Sequence, residues 1–382
     1  MSRSHLLLAL VSLPLAAACQ CGANRPAADA GATRVGLVTD VGGRGDQSFN
    51  DSALRGLELW AAGQVVEGAS RPATDEERLA SIPEPLRESV KPVQVRPLVL
   101  QSKAQEDYEP NLQLLVDQGA AVTVGVGFML ENAVEAVASR NPDANFVLID
   151  SQLLDPQGRP HELPNVRTVV FREEEGSFLV GALAARVSRT GTVGFVGGMQ
   201  IALIQRFEAG YRAGAAAVEE GAKAPEVRVG YTGSFDNVSA GKLVAQDLIS
   251  KGADVLFHAA GSDGLGVIQA VKEARAAGRE VWAIGVDSDQ WHVAPEVVLT
   301  SMVKRVDLAV YEAARDAAND SFTAGHQTLG LAEKGVAMAE VRADFENKDA
   351  ILAQVEALGR EIAEGARSVP TTPGAVGREA VP

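Results

Sequence analysis

The sequence predicts an α/β protein of two lobes, each a doubly wound layer of parallel strands and helices. Three observations carry that expectation. From residue 34 onward, about ten short apolar runs alternate with amphipathic stretches, the pattern of βαβ units. The runs are continuously apolar rather than alternating, as suits parallel strands buried on both faces. About ten strands would crowd one open sheet of this kind, whereas 382 residues suffice for two cores.

The N-terminus stands apart from this rhythm. Arg3 and His5 precede the apolar run Leu6–Leu15, followed by Ala16-Ala17-Ala18-Cys19. A charged start, an apolar stretch of about ten residues and small residues before a cut describe a secretory signal, here residues 1–18. The run is too short to span a bilayer, which takes about twenty residues. A cysteine directly after the small residues resembles a lipobox, in which that cysteine takes a diacylglycerol thioether and starts the mature chain. Cys19 is therefore the expected lipidation site and the link to a membrane. Leucine, usual three positions before such a cysteine, is here Ala16, with Leu15 one further back. An ordinary cleaved signal with an incidental cysteine is the alternative. Cys21 follows Gln20 and is a spare. Residues 19–33 are small and polar and read as a flexible tether. The folded part is expected outside the cytoplasm, where there is no ATP or NAD pool, and no cofactor is expected.

Composition narrows the function. The net charge is −15, from 35 basic and 50 acidic residues, so nucleic acid is excluded as a partner. Both cysteines lie at the N-terminus, which leaves no disulfide staple and no cysteine metal site for the folded part. The five histidines show no HExxH-like spacing, and no metal is expected. Aromatics are only 5% of the chain, so a ring outside a core run draws attention.

In chain order the expected strands are Val35–Thr39, Val95–Leu100, Ala121–Val126, Asn145–Ile149, Val166–Phe171, Thr192–Val196, Val227–Tyr231, Asp254–Phe257, Val281–Val286 and Val298–Val303. Ser177–Ser188 reads as a helix, with Glu173, Glu174 and Glu175 near its start, where carboxylates suit the dipole, and Gly191 beyond its end. Val238–Lys251 reads as another, capped by Asp236 or Asn237 and closed by Gly252. Residues 64–94 are rich in Pro, Glu and Arg without a sustained apolar period, and read as an insertion or long surface loop. Residues 366–382 read as a disordered tail. The expected N-terminal lobe is 34–151 plus about 290–325; the C-terminal lobe is 152–289 plus part of 326–365.

In open α/β sheets ligands sit beyond the carboxyl ends of strands. Those ends are rich here in Gly, Asp, Asn and Phe. Phe49, Phe128 and Phe235 lie in polar, glycine-rich loops, where two rings could sandwich a flat heterocycle. Alternatively, each plugs the top of its own lobe. Asp46, Asn50, Asp287 and Lys304 form the polar set. Asparagine offers a donor and an acceptor to a base edge, and a carboxylate accepts two sugar hydroxyls. The competing reading has Asp46 and Asn50 capping a helix that starts near Asp51. Gly261–Gly266, which contains Gly264, gives G-x-x-G-x-G before a helix, only loosely like a dinucleotide loop. Neither a G-x-x-x-x-G-K-[ST] phosphate loop nor a G-x-S-x-G elbow occurs, and no motif marks an enzyme.

Taken together, Asp40–Ala53 (DVGGRGDQSFNDSA), Gly127-Phe128, Asn141–Asp150, Gly191–Gly198, Lys251–Val267 and Ile284–Gln290 (IGVDSDQ) resemble the basic membrane protein family. These are purine-nucleoside-binding lipoproteins of bacterial ABC importers. The resemblance runs in order over about residues 34–310. It implies a type I periplasmic-binding fold: two Rossmann-like lobes with parallel sheets, joined by a hinge, closing on a nucleoside. It also implies bases stacked on phenylalanines and ribose bonded by Asp and Lys. By position it carries to Asn50, Phe128, Phe235, Asp287 and Lys304, and to Asp46 and Gly264. The implied partners are a nucleoside, an ABC permease and, through Cys19, a membrane; a monomer is expected. Two departures bear on the ligand. Gly45 stands where the family often has a second acidic residue, and Leu54 where it often has an aromatic. A sugar or other small polar ligand is therefore a competing reading, as are a nucleoside-cleaving enzyme and a surface sensor.

Overall fold

The computed structural model describes residues 31–155, 157–218 and 223–374. Its strands are β1 (Thr33–Thr39), β2 (Gln64–Glu67), β3 (Ala69–Pro72), β4 (Val95–Gln101), β5 (Val122–Val126), β6 (Asn145–Ile149), β7 (Val166–Phe171), β8 (Thr192–Gly197), β9 (Glu226–Tyr231), β10 (Val255–Ala259), β11 (Trp282–Asp287), β12 (Val298–Lys304), β13 (Gly325–Leu329) and β14 (Val336–Met338). Its α-helices are α1 (Phe49–Leu54), α2 (Asp75–Ser81), α3 (Tyr108–Asp117), α4 (Glu131–Arg140), α5 (Glu173–Val187), α6 (Ala202–Ala216), α7 (Val238–Ser250), α8 (Asp263–Ala276), α9 (Val306–Ala318) and α10 (Lys348–Ala363).

Two six-stranded sheets form, ordered β13-β7-β6-β5-β1-β4 and β14-β12-β11-β10-β8-β9. Every neighbour pair is parallel except β12 with β14. All ten expected runs are strands, five in each sheet. The sixth strand of each sheet lies at its edge, and no apolar run marks it: β13 is GHQTL and β14 has three residues. β4 and β9 are the opposite edges and do carry apolar runs, so what hides β13 and β14 is their own polar or very short sequence.

The chain crosses between lobes three times: from β7 into α5, from β12 into α9, and from β13 into β14. Helix α5 packs on β12 and β14 of the second lobe, and α9 on β1 and β5 of the first. The crossings correct the expected boundaries. β7 and β13 belong to the first lobe and β12 to the second. Apolar runs say that a strand is buried, not which sheet accepts it, and the chain changes lobes directly at strand ends rather than in long loops.

Residues 64–94 are not a bare surface loop. β2 and β3 pair as an antiparallel hairpin. Thr74 then caps α2 in a reciprocal box with Glu77. Ile82, Leu86 and Val90 follow, buried in the main core, and Tyr311 Oη of α9 accepts from the backbone N–H of Lys91 at 2.9 Å. Three well-spaced apolar residues are enough to anchor the segment. The start of the presumed tail is also placed: Arg367 bonds Glu361 and Val369 packs on the core. Residues 375–382, the signal 1–18, Cys19 and all but the end of the tether lie outside the described residues.

Helix pairs in the second lobe touch backbone to backbone. A Cβ on Gly210 would sit 2.1 Å from the carbonyl oxygen of Glu174, where α6 crosses α5, and one on Gly241 would sit 1.9 Å from that of Asp263, where α7 meets α8.

Candidate functional site

The carboxyl ends of β1, β5 and β6 face those of β9 to β12 across one cleft. Its atom-free space, counted out to the open mouth, is about 580 Å³.

The first-lobe wall is built on carboxylates. Asp40, just after β1, accepts from the backbone N–H of Gly42 at 2.9 Å and from Asn50 Nδ2 at 2.8 Å. Burial raises its pKa to about 6 despite those bonds. Asp46 accepts from the backbone N–H groups of Ser48, Asn50 and Asp51 at 2.9, 2.8 and 3.1 Å. It therefore satisfies the start of α1, as the capping reading had it, and fixes Phe49 and Asn50 in place. Asn50 Nδ2 is shared with Asp46 at 3.1 Å. Its Oδ1 is buried without a protein partner, leaving an acceptor at the cleft wall.

The second-lobe wall answers it. Asp287 ends β11 with a left-handed backbone (φ 61°), as does Asp150 after β6 (φ 71°), a conformation that Asp tolerates better than most residues. Asp287 accepts from Ser48 Oγ of the first lobe at 2.6 Å. Burial raises its pKa to about 6, with Lys304 and the Ser48 bond opposing. Lys304 ends β12, is 2% exposed, and donates to both oxygens of Asp150 at 2.8 Å. The rings of Phe49, Phe207 and Phe171 lie 5.0, 5.3 and 5.4 Å from its ammonium. Burial works against that charge, but Asp150, Glu173 and Asp287 outweigh it and hold the pKa above the ordinary lysine value.

The three phenylalanines divide. Phe128 and Phe235 meet across the cleft, edge to face, with centroids 6.2 Å apart. Phe49 also lines the cleft, but its ring packs against the Lys304 ammonium rather than against the other two. Gly264 does not line the cleft, although Gly261 and Ser262 do. A Cβ there would sit 2.0 Å from the buried His258 ring, so Gly264 makes room beneath the loop rather than meeting a ligand. Gly45 is exposed and Leu54 lies in the core, and neither lines the cleft.

Asp40, Asp150, Phe171, Glu173 and Phe207 enter the site without having been singled out. Asp40 and Asp150 directly follow their strands, so the strand-end rule reaches them. Phe171 looks like a strand residue and Phe207 like a helix residue, and no sequence signal separates them from core. The SFN and IGVDSDQ strings meet across the lobes. Ser288 Oγ donates to Ser48 O at 3.0 Å, Gln290 Nε2 donates to Gln47 O at 3.1 Å, and His292 Nε2 lies 2.9 Å from Gln47 Oε1.

The sequence profile of a family of ABC transporter substrate-binding proteins, described as PnrA-like, matches residues 33–372. The chain belongs to this family. It is 34% identical over 351 residues to the CD4+ T-cell-stimulating antigen of Listeria monocytogenes, covering 89% of this chain and 88% of that one. It is 32% identical over 331 residues to the ABC transporter nucleoside-binding protein BmpA of Lactococcus lactis, covering 83% and 84%. Among solved structures, an ABC transporter solute-binding protein from Aeropyrum pernix superposes with a TM-score of 0.70 at 28% identity, over 89% of this chain and 93% of that one. Members of this family are the extracytoplasmic component that binds the transported solute and presents it to a permease. Among the described residues no helix is long and apolar enough to cross a membrane.

Proposed function

We propose that this family member captures a purine nucleoside between its lobes and delivers it to an ABC importer. The observation that carries the reading is Phe128 and Phe235 reaching from opposite lobes to within 6.2 Å, above a floor of Asp40, Asn50, Asp150, Asp287 and Lys304. Aromatic faces suit a flat base, carboxylates and an ammonium suit ribose hydroxyls, and the free Asn50 acceptor suits a base N–H. The nucleoside-binding relative in Lactococcus supports the same ligand class. Asp46 lines the cleft and also fixes Phe49 and Asn50 through the start of α1. Binding selects the closed arrangement of the lobes, which the permease recognises. A lipid on Cys19 holds the monomeric protein at the membrane.

Calorimetry and thermal shift of the purified protein with guanosine, inosine, adenosine and a panel of sugars test this. Micromolar or tighter binding of a purine nucleoside, about −8 kcal/mol, is expected. Sugar binding with silence across the nucleosides would overturn the purine reading and favour a small polar ligand on the carboxylate floor.

A further inference from the structure

Glu173 opens α5, at the point where the chain first crosses between lobes. It is 0% exposed, and neither carboxylate oxygen has a hydrogen-bond partner. Two cations flank it. Lys304 Nζ lies 3.6 Å from Oε1, and Arg206 Nη1, from α6, lies 3.8 Å from Oε2. Lys304 ends β12, at the second crossing, and gives its short bonds to Asp150. One buried ammonium thus stands between two carboxylates at the hinge, bonded to one and just out of hydrogen-bond reach of the other.

We infer that Glu173 is a positioning residue for the cleft: it takes up Lys304 when a ligand engages Asp150, and capture therefore releases a proton from Glu173 to solvent. The inference rests on the reading that ligand hydroxyls donate to Asp150. The steps follow from the charges. Without ligand, an unbonded buried carboxyl is cheaper neutral than ionised. Burial raises the Glu173 pKa to about 8, with Lys304 and Arg206 opposing and Asp150 reinforcing. Asp287, from β11, faces the same ammonium. When ligand hydroxyls occupy Asp150, its hold on Lys304 weakens. The ammonium, with three donors, turns its free bond to Glu173 Oε1. A hydrogen-bonded ammonium favours the carboxylate, and the proton leaves. The bound form then holds fewer protons than the free form, so affinity rises with pH below the free-state pKa.

Calorimetry of a bound nucleoside in buffers of different ionisation enthalpy counts those protons. Near neutral pH the wild type is expected to release a measurable fraction of a proton, and to bind severalfold tighter at about pH 7.5 than at about pH 6.5. Asp40 and Asp287, near 6, are already largely ionised in that range and contribute little. Glu173→Gln is expected to bind more weakly at about pH 7.5, with the release near zero and the dependence of affinity on pH largely lost. Release of no proton by the wild type, or as much by Glu173→Gln, would overturn the inference. Difference infrared spectroscopy reads the same carboxyl without ligand and without the variant's having to bind. A protonated carboxyl band at neutral pH, fading as pH passes through about 8, is expected; its absence from the wild type also overturns the inference. A silent nucleoside panel beside a positive infrared band would sink the purine reading and uphold the buried, protonated Glu173.

Discussion

Lys304 Nζ donates to both carboxylate oxygens of Asp150 at 2.8 Å, joining the end of β12 in one lobe to the end of β6 in the other. Asp150 is 6% and Lys304 2% exposed at the side chain, so water does little to soften the loss of either partner. The pair ties the two sheets together at the floor of the cleft, where a ligand's hydroxyls would compete for it.

Replacing Lys304 with Met removes the cation and leaves Asp150, Glu173 and Asp287 facing one another. Breaking a buried pair from one side costs about 3–5 kcal/mol. Lys304→Met is expected to lose that much in urea unfolding, and Lys304→Met with Asp150→Asn to recover part of it. A single-variant loss under about 1 kcal/mol, the range of exposed pairs, would mean that the pair is hydrated in solution.

Asp287 is held against its own charge. Its pKa rises from 3.8 to about 6 on folding, chiefly by burial. A carboxyl raised in the folded state contributes stability below its unfolded pKa, and that contribution is lost as pH rises through the folded pKa. Asp287→Asn keeps an acceptor for Ser48 and suits the left-handed backbone. It is expected to stabilise the ligand-free protein at neutral pH by up to about 3 kcal/mol, at about 1.4 kcal/mol per pKa unit. The gain should vanish below about pH 4. Nucleoside binding should be lost in the same variant. Thermal unfolding against pH checks the first outcome and calorimetry the second; a gain that persists in acid would assign the effect to packing.

How far the sequence reached is visible in these residues. Ten strands announced themselves by continuous apolar runs, which parallel strands buried on both faces need, although β4 and β9 at the sheet edges are mostly half-buried. Asp287 and Lys304 were legible because strand ends in such sheets face the ligand side. Which sheet each strand joins was not, since Val298–Lys304 reads the same in either lobe. Glu173 looked like one of three carboxylates suited to a helix dipole. Only the crossing of β7 into α5 brings it beside Lys304. Gly264 shows the reverse: its motif was visible, but the space it keeps is for the His258 ring, and the cleft is lined by Gly261 and Ser262 of the same loop.

Phe128 and Phe235 are both half-buried and touch each other, Phe235 also resting on the core, and in the proposed role they serve ligand contact more than folding. Phe128→Ala and Phe235→Ala should each weaken purine binding about tenfold or more, at roughly 0.5–1.5 kcal/mol of ring contact plus the apolar area lost. The melting temperature of the ligand-free protein should hardly move. Because the rings are in contact, the double variant should lose less than the two single losses added. Full additivity would place the rings on separate parts of the ligand, outside a shared stack.

Gly210 tests whether the α5–α6 crossing holds the hinge end of the cleft. A Cβ there meets the carbonyl oxygen of Glu174 at 2.1 Å, and backbone cannot swing aside as a side-chain tip can. Gly210→Ala must push α6 away from the first turn of α5, which carries Glu173. Overpacking of this kind costs about 1–3 kcal/mol, outweighing the gain of up to about 1 kcal/mol that Ala brings to a helix interior. Gly359 on α10 is the control: its added Cβ meets a side-chain methyl of Leu179 at 3.3 Å, which can give way. Gly359→Ala is expected to be neutral or mildly stabilising in thermal unfolding. Gly210→Ala is expected to be destabilised and to bind its nucleoside more weakly, because parting the helices shifts the first turn of α5, and Glu173 with it, relative to Lys304. Equal melting temperatures for the two variants would show that the helices part without strain, and that the crossing does not set the position of Glu173.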